Sequence, residues 1–188
     1  MIYLLINRYH DHKPARNTEL EKCLSLNEAN SFIRVRELYS RPTFNEFFDA
    51  ANSFFPEGSV VAISNSDIFF DETIQLAENI KENEVYALSR WDIQKDGSSK
   101  LFNRWDSQDT WIFRTPIKEI QGADFTLGLG GSDNVIAHLL EQSGYVVTNP
   151  SKTIHCHHLH LSNVRNYIQG SNVQRLPPPY KLVTPTEL

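Results

Sequence analysis

Hydrophobic residues along the chain fall into two patterns, short apolar runs and residues that recur at helical spacing. The apolar or alternating runs are typical of strands, and they lie at 2–6, 32–38, 60–63, 85–88, 101–105, 110–114 and 145–147. The helical spacing predicts helices that begin near 18 and 43, and helices at 72–83 and 133–143. In the first half, strands and helices alternate. This order predicts one α/β domain with a mostly parallel sheet and helices on both faces, made mixed by later hairpin-like strands.

Residues that favour helix starts stand before each predicted helix. TELE at 18–21 and TFNE at 43–46 have the spacing of capping boxes. Ser132 is a good cap for helix 133–143. Asp71 precedes helix 72–83, and we expect it to be a cap, with a second metal carboxylate as the alternative.

Composition limits the class of protein. The chain has 188 residues, 40% of them hydrophobic, enough for one domain with a sizeable core. Its net charge of −5 argues against a nucleic-acid partner.

The apolar run at the N-terminus is too short for a membrane span or a signal sequence, so we expect no transmembrane segment. Cys23 and Cys156 show no disulfide or metal spacing, which indicates a reducing compartment, the cytoplasm. We expect the domain to cover 1–173, followed by a proline-rich arm or tail at 174–188.

Polar residues gather where predicted strands end or loops turn. NSD at 65–67 follows the buried strand at 60–63, and SQDTW at 107–111 and GSDN at 131–134 are two further clusters. In open α/β sheets, ligands bind at the rim where strands end. The side-chain oxygens of Asn65 and Asp67 suit Mn²⁺ or Mg²⁺. We therefore predict a divalent-metal and diphosphate site around Asp67.

A fourth cluster, HCHHLH at 155–160, is rich in histidine. In an extended segment His158 and His160 share a face with Cys156, while His155 and His157 face the other way. The residues alone leave two interpretations open. Cys156, His158 and His160 form a zinc site, or the histidines are structural residues satisfied by hydrogen bonds.

The order of these motifs resembles the GT-A class of nucleotide-sugar-dependent glycosyltransferases, and more narrowly a group of small bacterial glycosyltransferase-like proteins. The resemblance covers nearly the whole chain. Its motifs are NTE at 17–19, NSDIFFD at 65–71, ALSRWD at 87–92, SQDTWIF at 107–113, GSDN at 131–134, GY at 144–145, NPS at 149–151 and HLH at 158–160. Each motif alone has little specificity, and their order together is specific for the fold more than for the substrate.

The resemblance implies a Rossmann-like GT-A domain that takes a sugar from a nucleotide diphosphate donor to a carbohydrate or other hydroxyl acceptor. The GT-A Asp-x-Asp motif matches Asn65-Ser66-Asp67, so an amide replaces the first acid. By resemblance, Asp67 and His158 or His160 hold Mn²⁺ or Mg²⁺. Such a cation stabilises the charge that grows on the leaving diphosphate.

Two acids are candidates for work on the acceptor. Asp133 stands at a predicted helix start, where the helix dipole favours an ionised carboxylate, so it is the candidate general base of an inverting transfer. Its alternative is a helix-start acid without a catalytic role. Asp109 is the second candidate base, and by resemblance it binds sugar hydroxyls beside Trp111. Trp111 either stacks on a sugar ring or packs in the core.

Four further residues are candidates for donor binding. Asn7, Arg8 and Arg16 lie near the end of the first strand, where GT-A proteins hold the nucleotide. Arg90 follows the strand at 85–88 and can pair with phosphate or sugar groups. For Arg8 and Arg16, a solvated or ion-paired role is the default.

Two other functions fit the same residues. A metal-dependent nucleotidyltransferase uses the same metal and diphosphate chemistry and differs only in its product. A non-catalytic sugar- or nucleotide-binding module fits the amide at Asn65 and the short chain, which leaves little room for an acceptor domain. The sequence does not address the oligomeric state.

Overall fold

The computed structural model describes residues 1–162 and 175–188, and within them the chain is mixed α/β. The strands are β1 Ile2–Asn7, β2 Ile33–Leu38, β3 Val60–Ser64, β4 Ile68–Phe70, β5 Glu84–Leu88, β6 Trp91–Ile93, β7 Ser99–Leu101, β8 Thr110–Arg114, β9 Val146–Thr148 and β10 Cys156–His158. The helices are α1 Pro14–Ala29, α2 Phe44–Phe54 and α3 Ser132–Gln142, with a 3₁₀ helix at Glu72–Asn79.

Six strands form the larger sheet, in the order β2-β1-β3-β8-β5-β9. β8 runs antiparallel to both of its neighbours, and the other neighbouring pairs are parallel. Because β8 alone reverses direction, its first residue lies at the same edge as the last residues of β1, β3 and β5. The predicted mostly parallel, mixed sheet is confirmed.

Helices cover both faces of this sheet, as predicted. Leu5, Val61 and Ile63 point to the face that packs against α2 and α3. The alternate residues Leu4 and Ala62 point to the face that packs against α1 and the 3₁₀ helix. Strands buried on both faces read as continuous apolar runs, which is why 2–6 and 60–63 do not alternate.

A smaller, four-stranded sheet, in the order β4-β10-β6-β7, was not predicted as a separate unit. After β3 the chain turns at Asn65, Ser66 and Asp67, so β4 leaves the main sheet and pairs antiparallel with β10. The turn at 95–98 joins β6 and β7 into an antiparallel hairpin. This sheet carries the histidine-rich segment to the rim of the main sheet.

Two of the four predicted helix starts differ from the prediction, and two agree with it. α1 begins at Pro14, and Thr18 lies inside it, with its hydroxyl donating to the carbonyl of Pro14 at 3.2 Å, so no capping box forms there. The box at Thr43 is confirmed. Asp71 caps the 3₁₀ helix by accepting from the amide of Thr73 at 3.0 Å, as expected. Gly131, rather than Ser132, caps α3, with φ +79°.

The C-terminal residues 175–188 lie against the domain. The amides of Lys181 and Val183 donate to the carbonyls of Asn134 and Trp105, and the side chain of Val183 is buried in the core. The described C-terminal segment therefore packs against the domain, with Val183 in its core. The boundary predicted between 173 and 174 lies outside the described residues. Throughout the described part of the chain, every helix is too short or too polar to cross a membrane.

Candidate functional site

A cleft of about 630 Å³ lies at the carboxyl edge of β1 and β3, between the two sheets. Its volume is in the range of small-molecule binding sites. The residues predicted for metal or donor binding that line it are Asn7, Arg16, Asn65, Asp67, Arg90, His158 and His160. Residues scattered between positions 7 and 160 of the sequence therefore meet in one cleft.

Asp67 is the most constrained carboxylate of the cleft. Its Oδ2 accepts from Nη2 of Arg16 at 2.5 Å and from Nε2 of His158 at 3.1 Å, and Nδ1 of His160 lies 3.9 Å away. Burial alone would raise the pKa of Asp67, but hydrogen bonds from His158 and the charge of Arg16 hold it well below its usual range. Asp67 is therefore an anion that already faces several cationic groups.

His158 bridges two carboxylates. Nε2 faces Asp67, and Nδ1 lies 2.8 Å from Oδ1 of Asp92. Burial lowers the pKa of His158, but the hydrogen bonds to Asp67 and Asp92 outweigh it and raise the pKa to about 9. Both ring nitrogens can donate only when the ring is protonated, so His158 is an imidazolium at neutral pH in this arrangement.

The donor set of the cleft fits a divalent metal. Oδ2 of Asp67, Nε2 of His158 and Nδ1 of His160 all lie within 4.8 Å of one another. A metal would take the place of the proton on Nε2 of His158, and Asp92 would remain hydrogen-bonded to Nδ1, as an outer carboxylate does in many metal sites.

The zinc alternative with Cys156 does not fit. Cys156 is fully buried in the core, with Sγ 3.4 Å from the carbonyl oxygen of Ser89. Burial raises the pKa of its thiol above the usual range, which disfavours the thiolate that zinc requires. Among the described residues, the possible ligand groups that contain His155, His157, His158 or His160 take a carboxylate and leave Cys156 out.

Arg90, Asp109 and Asn65 form a second polar group at the cleft. Nη1 of Arg90 donates to Oδ2 of Asp109 at 3.1 Å, and Nδ2 of Asn65 donates to Oδ1 at 3.0 Å. Arg90 also donates to Asp92 at 2.8 Å, and its guanidinium stacks 4.2 Å from the ring centroid of Phe102. Asp109 does not line the cleft, but its oxygens orient two residues that do.

Asp133 lies next to Asp109, at the start of α3. It accepts from the amide of Gln108 at 3.3 Å and from the hydroxyl of Ser132 at 3.2 Å. Burial and the charge of Asp109 raise the pKa of Asp133 to about 7. Desolvation and the like charge of Asp109 therefore oppose the ionisation that the helix start was expected to favour. Asp133 does not line the cleft.

Two predicted donor-binding residues lie elsewhere. Trp111 is 1% exposed and packs edge-on against Phe44, 5.9 Å between ring centroids, so it is a core residue and the sugar-stacking interpretation is wrong. Arg8 pairs with Glu21 at 2.5 Å and Glu37 at 3.3 Å and faces a neighbouring depression. Arg8 is therefore ion-paired, and its place in a nucleotide site stays a prediction, since the neighbouring depression shares Asn7, Tyr9 and Arg41 with the cleft.

Several cleft residues were missed. Tyr9 and Arg41 line the cleft from the segments after β1 and β2, Asp92 lines it from β6, and Phe102 lines it from the residue after β7. The rule that ligands bind where parallel strands end could have indicated Tyr9 and Arg41. No sequence signal identified Phe102, because it reaches the cleft only through the pairing of β6 with β10.

Comparison of the chain with models of known protein families gives no match, and comparison with curated proteins gives no significant match. A functional inference for this chain therefore depends on its fold, its cleft and the resemblance of its motifs.

Proposed function

We propose that the protein is a GT-A-like glycosyltransferase that uses a nucleotide diphosphate sugar and a divalent cation, Mn²⁺ or Mg²⁺. The observation that carries the proposal is the cleft that joins Asp67, His158 and His160 to Arg16 at the carboxyl edge of parallel strands. The order β2-β1-β3-β8-β5-β9, with β8 reversed, is compatible with a Rossmann-like sheet of this class. The ordered motifs of the sequence agree with it.

The donor would lie with its diphosphate near Asp67. Asp67, His158 and His160 would hold the cation, which supplies positive charge to the leaving diphosphate. Arg16 and Arg41 also line the cleft and add fixed positive charge to it. The half-exposed ring of Tyr9 offers a surface on which a nucleobase can stack.

The acceptor would be a hydroxyl compound. Its oxygen forms a bond to the anomeric carbon as the bond from that carbon to the diphosphate oxygen breaks, and the nucleoside diphosphate leaves with the electron pair. A base must take the hydroxyl proton. We keep Asp133 as the first candidate, because burial and the charge of Asp109 raise its pKa to about 7, with Asp109 as the second candidate. Neither residue lines the cleft, so this role requires that the acceptor bring its hydroxyl within hydrogen-bond reach of one of them.

One observation favours a second candidate, a non-catalytic sugar- or nucleotide-binding module. Oδ2 of Asp67 already contacts Arg16 and His158, and Asn65 donates to Asp109. Arg16 and the protonated His158 would bind a diphosphate without a metal and without transfer. The two functions differ in turnover, and a nucleotidyltransferase would differ from both by releasing pyrophosphate from a nucleoside triphosphate.

The test is a thermal-shift screen of uridine, guanosine, cytidine and thymidine diphosphates, each with and without Mn²⁺. We expect one nucleotide with Mn²⁺ to raise the melting temperature more than either alone, because both bind only the folded chain. The corresponding nucleotide sugar should then release its diphosphate in the presence of a hydroxyl acceptor. The absence of any shift across the panel would overturn the donor assignment.

His160→Gln provides the site variant for this screen, and His138→Gln, on α3 and outside the lining of the cleft, is its matched control. His160→Gln should lose the extra stabilisation by Mn²⁺ and keep that of the nucleotide. Binding without turnover by the wild-type protein would favour the non-catalytic module, and release of pyrophosphate would favour the nucleotidyltransferase.

A further inference from the structure

A second group of histidines and a carboxylate lies outside the cleft. Asp71 stands between β4 and the 3₁₀ helix, His155 directly precedes β10, and His157 is the middle residue of β10. Oδ2 of Asp71 is 3.1 Å from Nδ1 of His155 and 3.1 Å from Nε2 of His157. These three residues do not line the cleft, because successive side chains of β10 point to opposite faces and His158 takes the other one.

The spacing of these atoms is close to that of ligands around one metal ion. With metal–ligand distances near 2.0–2.1 Å, two ligands of a tetrahedral zinc lie about 3.3 Å apart. The two oxygen–nitrogen distances of 3.1 Å are within a few tenths of an ångström of this value. All three ligand atoms lie within 4.8 Å of one another, so a shift of the rings would bring all three to one ion.

Outer hydrogen bonds hold each of the three groups in its ligating orientation. Oδ1 of Asp71 accepts from the amide and hydroxyl of Thr73, at 3.0 and 2.5 Å, which leaves Oδ2 directed at the histidines. Nδ1 of His157 lies 3.0 Å from the hydroxyl of Ser99, and the ring stacks on Phe69. Such contacts on the distal side of ligands are typical of metal sites.

His155 gives the most specific indication. Its Nε2 lies 3.4 Å from the carbonyl oxygen of Lys152, while Nδ1 faces Oδ2 of Asp71. A neutral imidazole carries a hydrogen on only one nitrogen. In either neutral tautomer one ring nitrogen therefore directs its lone pair at an oxygen, and a metal on Nδ1 would resolve this by leaving Nε2 to donate to Lys152.

We propose that Asp71, His155 and His157 form a zinc site, independent of the cleft and of the function proposed for it. Two imidazoles with one carboxylate favour Zn²⁺ over Mg²⁺, Ca²⁺ or Mn²⁺, which prefer oxygen ligands. Three protein ligands leave a fourth position for water. The site would join the start of the 3₁₀ helix to β10, the strand that carries His158 to the cleft, and so would stabilise that strand.

The experiment is a zinc titration of the chelator-stripped full chain at pH 7.5, followed by isothermal calorimetry and thermal melting. The site variant is His155→Gln with His157→Gln, which avoids Asp71 because that residue also caps a helix. The matched variant is His158→Gln with His160→Gln in the cleft. We expect the site variant to bind one zinc ion fewer per chain than wild type and to lose the zinc-dependent rise in melting temperature.

Trp91 supplies a local readout, because its ring centroid lies 4.7 Å from that of His155. Cu²⁺ bound at the site should quench its fluorescence, and Trp91→Phe should remove that signal without reducing zinc stoichiometry. The proposal is overturned if the site variant binds as much zinc as wild type, or if only the cleft variant loses zinc. A far-ultraviolet circular dichroism spectrum shows whether each variant is folded, and single His155→Gln replaces the pair if it is not.

Discussion

Asp67 and His158 meet across two antiparallel strands, with Nε2 of the imidazole 3.1 Å from Oδ2 of the carboxylate. Asp67 directly precedes β4, and His158 is the last residue of β10. The same oxygen accepts from Arg16 of α1, so three elements far apart in the sequence meet on one atom. Removing the carboxylate should therefore affect both the fold and the cleft.

We expect Asp67→Ala to lower the free energy of unfolding by about 3 kcal/mol, since it leaves the guanidinium of Arg16 buried with only part of its charge paired. Arg16 still contacts Glu19 at 3.2 Å in this variant, so the loss of unfolding free energy should be at the low end of the range for a broken buried ion pair. Urea unfolding measures the change.

The matched control for Asp67→Ala is Asp106→Ala. Asp106 pairs with Arg104 at 2.6 Å at the surface, and such exposed pairs contribute less than about 1 kcal/mol. Equal losses in the two variants would contradict the assignment of Asp67 as the buried centre of the network.

Trp111→Ala tests whether Trp111 is a core residue. The ring is 1% exposed and packs against α2, so its removal should cost about 3–5 kcal/mol of unfolding free energy. Trp105→Ala is the comparison, because 55% of that residue is exposed, and it should change stability by less than about 0.5 kcal/mol. A stable Trp111→Ala with weakened sugar binding would restore the stacking interpretation.

The sequence predicted those residues of the cleft that lie at the ends of strands. Asp67 follows an apolar run, and the alternation along β10 correctly separates His158 from His155 and His157. Trp111 was not predictable, since TWIF at 110–113 is apolar on both faces and its pattern does not say which side chains reach the rim.

The position of Asp133 was predictable from the sequence, but the shift of its pKa was not. Its place at a helix start follows from the serine and glycines before it, but its neighbour Asp109 belongs to another element, and only tertiary packing brings the two charges together. Similarly, α1 begins earlier than its capping box suggested, because Pro14 is well suited to the first turn and tertiary contacts of Arg16 extend the helix.

Arg41→Gln tests the side of the cleft where the diphosphate would lie. Arg41 is exposed and lines the cleft after β2, so its loss should weaken nucleoside diphosphate binding about tenfold, or about 1.4 kcal/mol, with little effect on folding. Calorimetry with the diphosphate selected by the thermal screen measures the change. Arg34→Gln, an exposed arginine of β2 outside the cleft lining, should bind as wild type does, and an equal loss there would indicate a non-specific charge effect.

Asp133→Asn should stabilise the protein in a pH-dependent way. The folded chain holds the pKa of Asp133 near 7, against an ordinary value of 3.8, so folding takes up a proton between these values and stability falls as pH rises through that window. Above pH 7 the folded protein carries the full cost of a half-buried charge beside Asp109, and below pH 3.8 it carries none. Asparagine removes this cost and still accepts from the amide of Gln108.

The variant should therefore gain between about 1 and 4 kcal/mol over wild type in urea unfolding at pH 8, and almost nothing at pH 4. Asp49→Asn, on the exposed side of α2, is the control and should change stability by less than about 0.5 kcal/mol at both pH values. If Asp133 is the base, the more stable variant binds the donor normally and loses transfer. Gain of stability with loss of activity is expected when a catalytic carboxylate destabilises the folded protein. Equal stability of wild type and Asp133→Asn at pH 8 would show that the carboxylate ionises without cost, and retained turnover would transfer the role of base to Asp109.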